Sequence, residues 1–438
     1  MRPKILIGAA AVAVVATVGA IAVPRDRESR VDAPATVTTA SLAGPSAGGA
    51  DVDAAIEQYR KATQINEREW SSWARLGLAY LAKSREAADP SFYDKADAAF
   101  RRSLDIERED NFDAVFGMAS LQASRHQFDD ALHWARLGAK MRPDSADIRG
   151  IMGDALVELG RYGAAAETFQ KMVDLRPALP SYARISYLSE LHGNLAGARS
   201  AMRMALRAAG SPDDAAWALY HLGDIEFGEG RIGSALRLYE RAAAIAPENN
   251  LGTAGRAKVA AARGDLATAI ELMEKVVAGS GEPGYPALLA EYYAAAGRQA
   301  DAGRALEVFR ERETVESDNG TDTNLETSLL QADLGMEEEA LKLAADEYSI
   351  RRSVQVADAL GWALYVNGRY EEAARRSRES FRLGTRSALF HFHAGMIDRA
   401  LGRTESAAFH LRTALDINPH FSVRHAATAA TTLERLTP

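Results

Sequence analysis

The sequence predicts an all-α solenoid built from helical hairpins, and three observations predict it. Small residues recur at a nearly fixed spacing, a glycine precedes most of them by a constant interval, and the composition favours helix over strand. Of the 438 residues, 47% are apolar and 26% charged, which is too apolar for disorder. Only 14 are proline, while Ala, Leu, Glu and Arg recur throughout. A formal charge of −8 argues against a basic stripe for nucleic acid. The absence of cysteine excludes disulfides, thiolate metal sites and a cysteine nucleophile.

The chain opens with two cations, Arg2 and Lys4, followed by an uncharged run from Ile5 to Val23. As a helix this run would rise about 28 Å, close to the hydrocarbon thickness of a bilayer. A basic start before an apolar run is also how a secretory signal reads, and Ala20-Ile21-Ala22 offers a small-x-small cleavage site. Residues 1–24 are therefore expected to be a signal peptide or a membrane anchor. A retained anchor, through residues 5–23, would leave the protein on the cell membrane. A cleaved signal would export it to the periplasm or the extracellular space. Residues 25–50, rich in Ala, Thr, Ser, Gly and Pro, read as a flexible linker.

Beyond residue 50 the chain repeats itself. Leu159-Gly160-Arg161-Tyr162 is followed by Ala165, Phe169 and Pro177; Gly230-Arg231-Ile232 by Ala235, Tyr239, Ala242 and Pro247; Leu401-Gly402-Arg403 by Ala407, Leu411, Ala414 and Pro419. In each, glycine ends a first helix, alanine stands five residues later inside a second, and proline closes that second helix. The phased alanines are Ala55, Ala96, Ala131, Ala165, Ala198, Ala235, Ala269, Ala302, Ala340, Ala373 and Ala407, with a mean spacing of about 35 residues. This pattern resembles the tetratricopeptide repeat, a helix–turn–helix unit of about 34 residues. The resemblance implies about ten repeats plus caps, wound as a right-handed superhelix.

The Ala55 unit has only its second helix, Val52–Ile65, and reads as the opening cap. An excess of about seven residues falls between Lys83 and Lys95, around Asp89-Pro90. The acidic segment 313–324 (ETVESDNGTDTN) reads as a linker that divides a main module, 51–312, from a C-terminal module, 325–438. Ser422–Leu436 is expected to be the capping helix.

Motifs for catalysis are poor. Gly44-Pro45-Ser46-Ala47-Gly48 matches a nucleophile-elbow string but sits in the linker, without the strand and helix that chemistry needs. Gly279 to Gly284 matches a dinucleotide fingerprint, yet no strand precedes it and Pro283 removes an amide donor. The 318–326 loop lacks the ligand spacing of a calcium hand. Five of nine histidines, His391, His393, His410, His420 and His425, fall near the C-terminus. They carry the alternative reading, a metal-handling protein, although residues two apart on a helix face nearly opposite ways. An enzyme of unrecognised type is a further alternative. The leading expectation is a non-catalytic scaffold of the cell envelope with no cofactor and no bound metal.

The resemblance also implies where a partner would bind, because the first helix (helix A) of each such repeat lines the inner face. Carried over position by position, that face holds the acids Asp113, Asp147, Asp154, Glu158, Glu190, Asp224, Glu291, Asp322, Asp333 and Asp358, against Lys258 and Arg399. Aromatic residues join them. The candidate groove is Asp154, Glu158, Tyr187, Glu190, Trp217, Tyr220, Asp224, Phe227, Trp362 and Tyr365, of which Asp154, Glu158, Trp217 and Tyr220 are expected to be exposed. Such a surface would suit a protein partner carrying a basic or apolar segment; nucleic acid is not expected.

Overall fold

A computed structural model of the chain describes residues 52–87, 89–321 and 324–437. The expectations for 1–24 and 25–50, for Gly44 to Gly48 and for Asp322 lie outside these residues. Among the described residues there are 22 α-helices and no strand. Ten consecutive helix pairs, from Trp70–Ala87 with Tyr93–Ile106 to Ala388–Ala400 with Thr404–Ile417, are flanked by single helices at Val52–Ile65 and Ala426–Leu436. No helix among them is long and apolar enough to cross a membrane.

The phased alanines have one structural meaning. Each is the fourth residue of a second helix (helix B), from Ala96 in Tyr93–Ile106 to Ala407 in Thr404–Ile417. Ten of the eleven are buried; Ala55, in the first described helix, is half-buried. A methyl group there lets helix B lie close to helix A, and in three of the pairs an aromatic ring one turn later, Phe100, Phe169 or Tyr239, fills the remaining space. The Phe169 ring lies on Gly153, where an added Cβ would come within 2.1 Å of it, and Tyr239 lies on Gly223 and Gly255 in the same way.

The turn between helices A and B needs a residue with positive φ. Glycine supplies it in eight of the pairs, as at Gly160 (φ 70°), whose amide caps the Val157 carbonyl at 2.9 Å. In Phe112–Ser124 with Phe128–Met141 the position is taken by His126, at φ 58°. The excess near Lys83–Lys95 becomes an 18-residue helix, Trp70–Ala87, and a 3₁₀ turn, Pro90–Phe92, capped by the Asp89 carboxylate.

Among the described residues of the acidic segment 313–324, Gln299–Asp318 runs into it as helix, and a turn follows at Asn319 and Gly320. By contacts the chain forms two compact units, one of Met1–Leu188 with Val315–Asp322, the other of Ser189–Thr314 with Thr323–Pro438. One boundary falls after Leu188, and two more bracket Val315–Asp322, inside the acidic segment. The Asn319 carbonyl accepts from Arg125 Nε at 3.2 Å, a bond within the first unit.

Two bonds of similar reach lie inside the second unit. Thr385 Oγ1 donates to the Leu191 carbonyl at 2.6 Å, and Asn418 Nδ2 to that of Phe227 at 2.9 Å. Gly193 (φ 67°) sits so near the Gly384 carbonyl oxygen that a Cβ would lie 2.3 Å from it.

Candidate functional site: the helix A face

The acids counted on the helix A face are mostly answered from one repeat further along. Asp154, on Ala146–Glu158, receives Arg184 Nε at 2.9 Å and Nη2 at 2.7 Å. Both side chains are almost fully buried, at 5% and 1% exposure. Burial raises the Asp154 carboxyl above its ordinary range, against the opposing pull of the guanidinium. Asp147 pairs with Arg176. Asp224 pairs with Lys258 and accepts from the Tyr239 hydroxyl at 2.6 Å. The Lys258 ammonium also stands 4.7 Å from the Tyr220 ring centroid, and burial and Asp224 together push the Tyr220 phenol well up.

Further along, Asp358 takes His393 Nδ1 at 2.8 Å, both groups buried. Asp333 takes the Trp362 indole N–H at 2.8 Å and His425 Nε2 at 2.9 Å. Burial would raise the Asp333 carboxyl, but the His425 and Trp362 hydrogen bonds and the His425 charge outweigh it and hold the group below its usual range. Trp362 stacks on His393, with centroids 4.3 Å apart, and on Tyr365, 4.8 Å apart. Glu291 has the opposite balance: burial pushes its carboxyl up to about 7, with Arg424 lowering and Asp333 raising it.

These contacts correct the expected exposure. Asp154, Glu158 and Trp217, and with them Trp362, are buried, at 5%, 2%, 4% and 5%. Asp154 and Trp362 are struts between adjacent repeats, through Arg184 and through Asp333 and His393, because the close approach that the small residues permit brings a neighbouring helix A over them. Tyr187, Glu190, Tyr220, Asp224, Phe227 and Tyr365 are half-buried and keep part of their surface in solvent. The apparent excess of acid was overcounted, since Arg184, His393, Arg424 and His425 also reach this face. A signal for them existed in the sequence: opposite partners one repeat apart, as in Asp154 with Arg184, Asp224 with Lys258 and Asp358 with His393.

The C-terminal histidines do not converge. His391 Nδ1 lies 2.9 Å from His410 Nδ1, while His393 and His425 each hold a carboxylate. Burial and His410 lower His391 to about 4, and burial lowers His410 as well. Among the described residues no three His, Asp or Glu side chains form a metal cage. A cavity of about 290 Å³ opens beside His410, walled by Asp398 and Arg403, which pair with each other at 3.1 Å.

The chain was compared with known proteins. It is 26% identical over 126 residues to the BBSome complex member bbs-4 of Caenorhabditis elegans, a span of 29% of this chain and 26% of that protein. It is 30% identical over 124 residues to the CTR9 homolog of Arabidopsis thaliana, 28% of this chain and 11% of that protein. The chain thus matches about a quarter of the first relative's length and about a ninth of the second's. Among solved structures, a chain of the APC/C hetero-tetramer Cut9–Hcn1 is similar at 14% identity, covering 87% of this chain and 81% of that one, with a TM-score of 0.43. The type IV pilus biogenesis factor PilW is similar at 19% identity over 48% of this chain and 92% of its own, with a TM-score of 0.39. The family model described as tetratricopeptide repeat matches residues 116–180, 192–250, 220–283 and 359–420, together half of the chain. With its phased alanines, turn glycines and paired helices on the page, the chain belongs to the tetratricopeptide repeat family.

Proposed function

We propose that this protein is a non-catalytic scaffold that holds a protein partner in an assembly of the cell envelope. Repeats of its family generally serve protein–protein interaction and are typically non-catalytic. The observation that carries the reading is the row of half-buried aromatic side chains left on helix A after the struts are set aside. In the second unit these are Tyr220, Phe227 and Tyr365, with Glu190 and Asp224 beside them; in the first it is Tyr187. Rigid aromatic rings with a polar tip suit the anchoring of an apolar or basic partner segment. The envelope location rests on the basic start and the uncharged run of residues 5–23.

The test is affinity capture by the full chain from solubilised envelopes, repeated with Tyr220→Ala/Tyr365→Ala. Loss of the two rings should weaken capture by about 1–3 kcal/mol, mainly through faster dissociation. Equal capture by a folded double variant would remove the helix A face as the site. Fractionation addresses location: the full chain should leave the cytosolic fraction, and a chain lacking residues 1–24 should remain in it.

A further inference from the structure

The last helix B ends at Ile417, yet the capping helix begins only at Ala426, four residues later than Ser422, where the sequence places it. Ser422 Oγ accepts from the amides of Arg424 at 3.2 Å and His425 at 3.1 Å, a local turn that replaces the first helical turn. The intervening segment runs inward across the second unit. Asn418 Nδ2 holds the Phe227 carbonyl, and a Cβ at Gly230 would come 3.1 Å from the Ile417 carbonyl oxygen. Val423 packs on the apolar cluster that includes Leu289 and Tyr292. Arg424 Nη1 donates to the Asp333 carbonyl at 3.1 Å, its Nε stands 3.9 Å from the Asp333 carboxylate, and His425 binds that carboxylate while stacking on Phe392 with centroids 4.7 Å apart.

We propose that Asn418–His425 is a built-in occupant of the helix A face of the second unit, and that the partner segment displacing it carries the same chemistry, a small apolar residue followed by an arginine. This rests on the scaffold function above and names the partner's chemistry and its control. The occupant shows what the face recognises: an apolar pocket beside two carboxylates, Glu291 and Asp333. Its fit is incomplete. Arg424 Nε is buried with no hydrogen-bond partner, and Glu291 remains a desolvated carboxyl whose pull toward ionisation comes from Arg424. A buried donor without a partner and a poorly paired carboxyl each cost free energy. An incoming arginine that reaches Glu291 relieves both, so exchange has a driving force.

The test uses the full chain and a labelled heptapeptide of residues 421–427, followed by fluorescence anisotropy. In the wild type the internal segment should hold the peptide to weak binding. In Val423→Ser/Arg424→Gln the site is released, and binding should tighten at least ten-fold. Adding Glu291→Gln to the released chain, or replacing the arginine of the peptide by glutamine, should abolish the gain. If the double variant does not fold, Arg424→Gln alone keeps the length and apolar stem of the side chain and is read by the same two outcomes. A released variant that melts cooperatively yet binds the peptide no better than the wild type overturns the proposal. Partner capture that persists beside that result leaves the scaffold function standing and removes only this inference.

Discussion

The first unit holds its helix A face with Asp154 and Arg184; the second holds the corresponding face with Asp358 and His393, and with Asp333 between Trp362 and His425. The geometry is shared in part, a carboxylate on one helix A answered from about one repeat on, while His425 reaches Asp333 across 92 residues. The partner differs. Arginine is charged at every accessible pH and grips with a planar fork, so the first arrangement is a fixed lock. Imidazole and indole nitrogens hold their carboxylates through single hydrogen bonds, and one of these depends on the cap segment that brings in His425. The second unit also keeps one ammonium–carboxylate pair, Asp224 with Lys258, so it combines a charged joint with hydrogen-bonded ones on the same backbone pattern.

Breaking the fixed lock should have the largest effect. Arg184→Met leaves Asp154 buried and unpaired, and should cost about 3–5 kcal/mol in urea denaturation. Asp154→Asn in the same chain should recover much of the loss, because the uncompensated charge is gone. If the single and double variants are equally destabilised, packing rather than charge holds that joint.

Two groups of the second unit should show themselves in pH. Burial puts the folded Glu291 at about 7 against an ordinary 4.5. Between those values the folded protein keeps a proton that the unfolded chain has lost, so this group's stabilisation is complete below about 4.5 and disappears as pH rises through about 7. The full amplitude is about 3 kcal/mol, and Glu291→Gln should flatten it. His391 acts with the opposite sign. Held at about 4 against an ordinary 6.5, it costs stability as pH falls through that window, because the unfolded chain takes up the proton first. Denaturation midpoints across pH 4 to 8, with each group replaced by glutamine in turn, separate the two. Parallel slopes in the wild type and Glu291→Gln would deny Glu291 any part in the balance.

The smallest expected effect tests what both halves share. Ala165 is completely buried at its helix contact, and Ala165→Leu should overfill it at a cost of about 1–3 kcal/mol. An unchanged melting midpoint would mean that the contact has room the repeat does not need.

Those alanines explain why the fold was readable. Close approach of two helices is a demand on the backbone, and only a small residue at a fixed place meets it, so Ala131 or Ala235 marks its own position in the hairpin. The half-buried aromatics were legible for a related reason, since the repeat fixes which helix faces inward. Burial of Asp154, Trp217 and Trp362 was not, because it depends on what the next repeat lays over them. Nor was the inward run of Asn418–His425, which turns on a single serine hydroxyl outbidding helix initiation.

Three bonds described above share a measurement. Arg125 reaches Asn319 across 194 residues of sequence, Thr385 reaches Leu191 across 194, and Asn418 reaches Phe227 across 191. Repeat arrays commonly lengthen or shorten by whole units, because each unit touches only its neighbours. Here the loss or duplication of one unit between such partners would slide every one of these contacts by about 34 residues and pair the wrong groups. The number of hairpins between each pair of partners is thereby constrained by the molecule itself: adding or removing one there would break the bond, while side-chain changes elsewhere leave it in place.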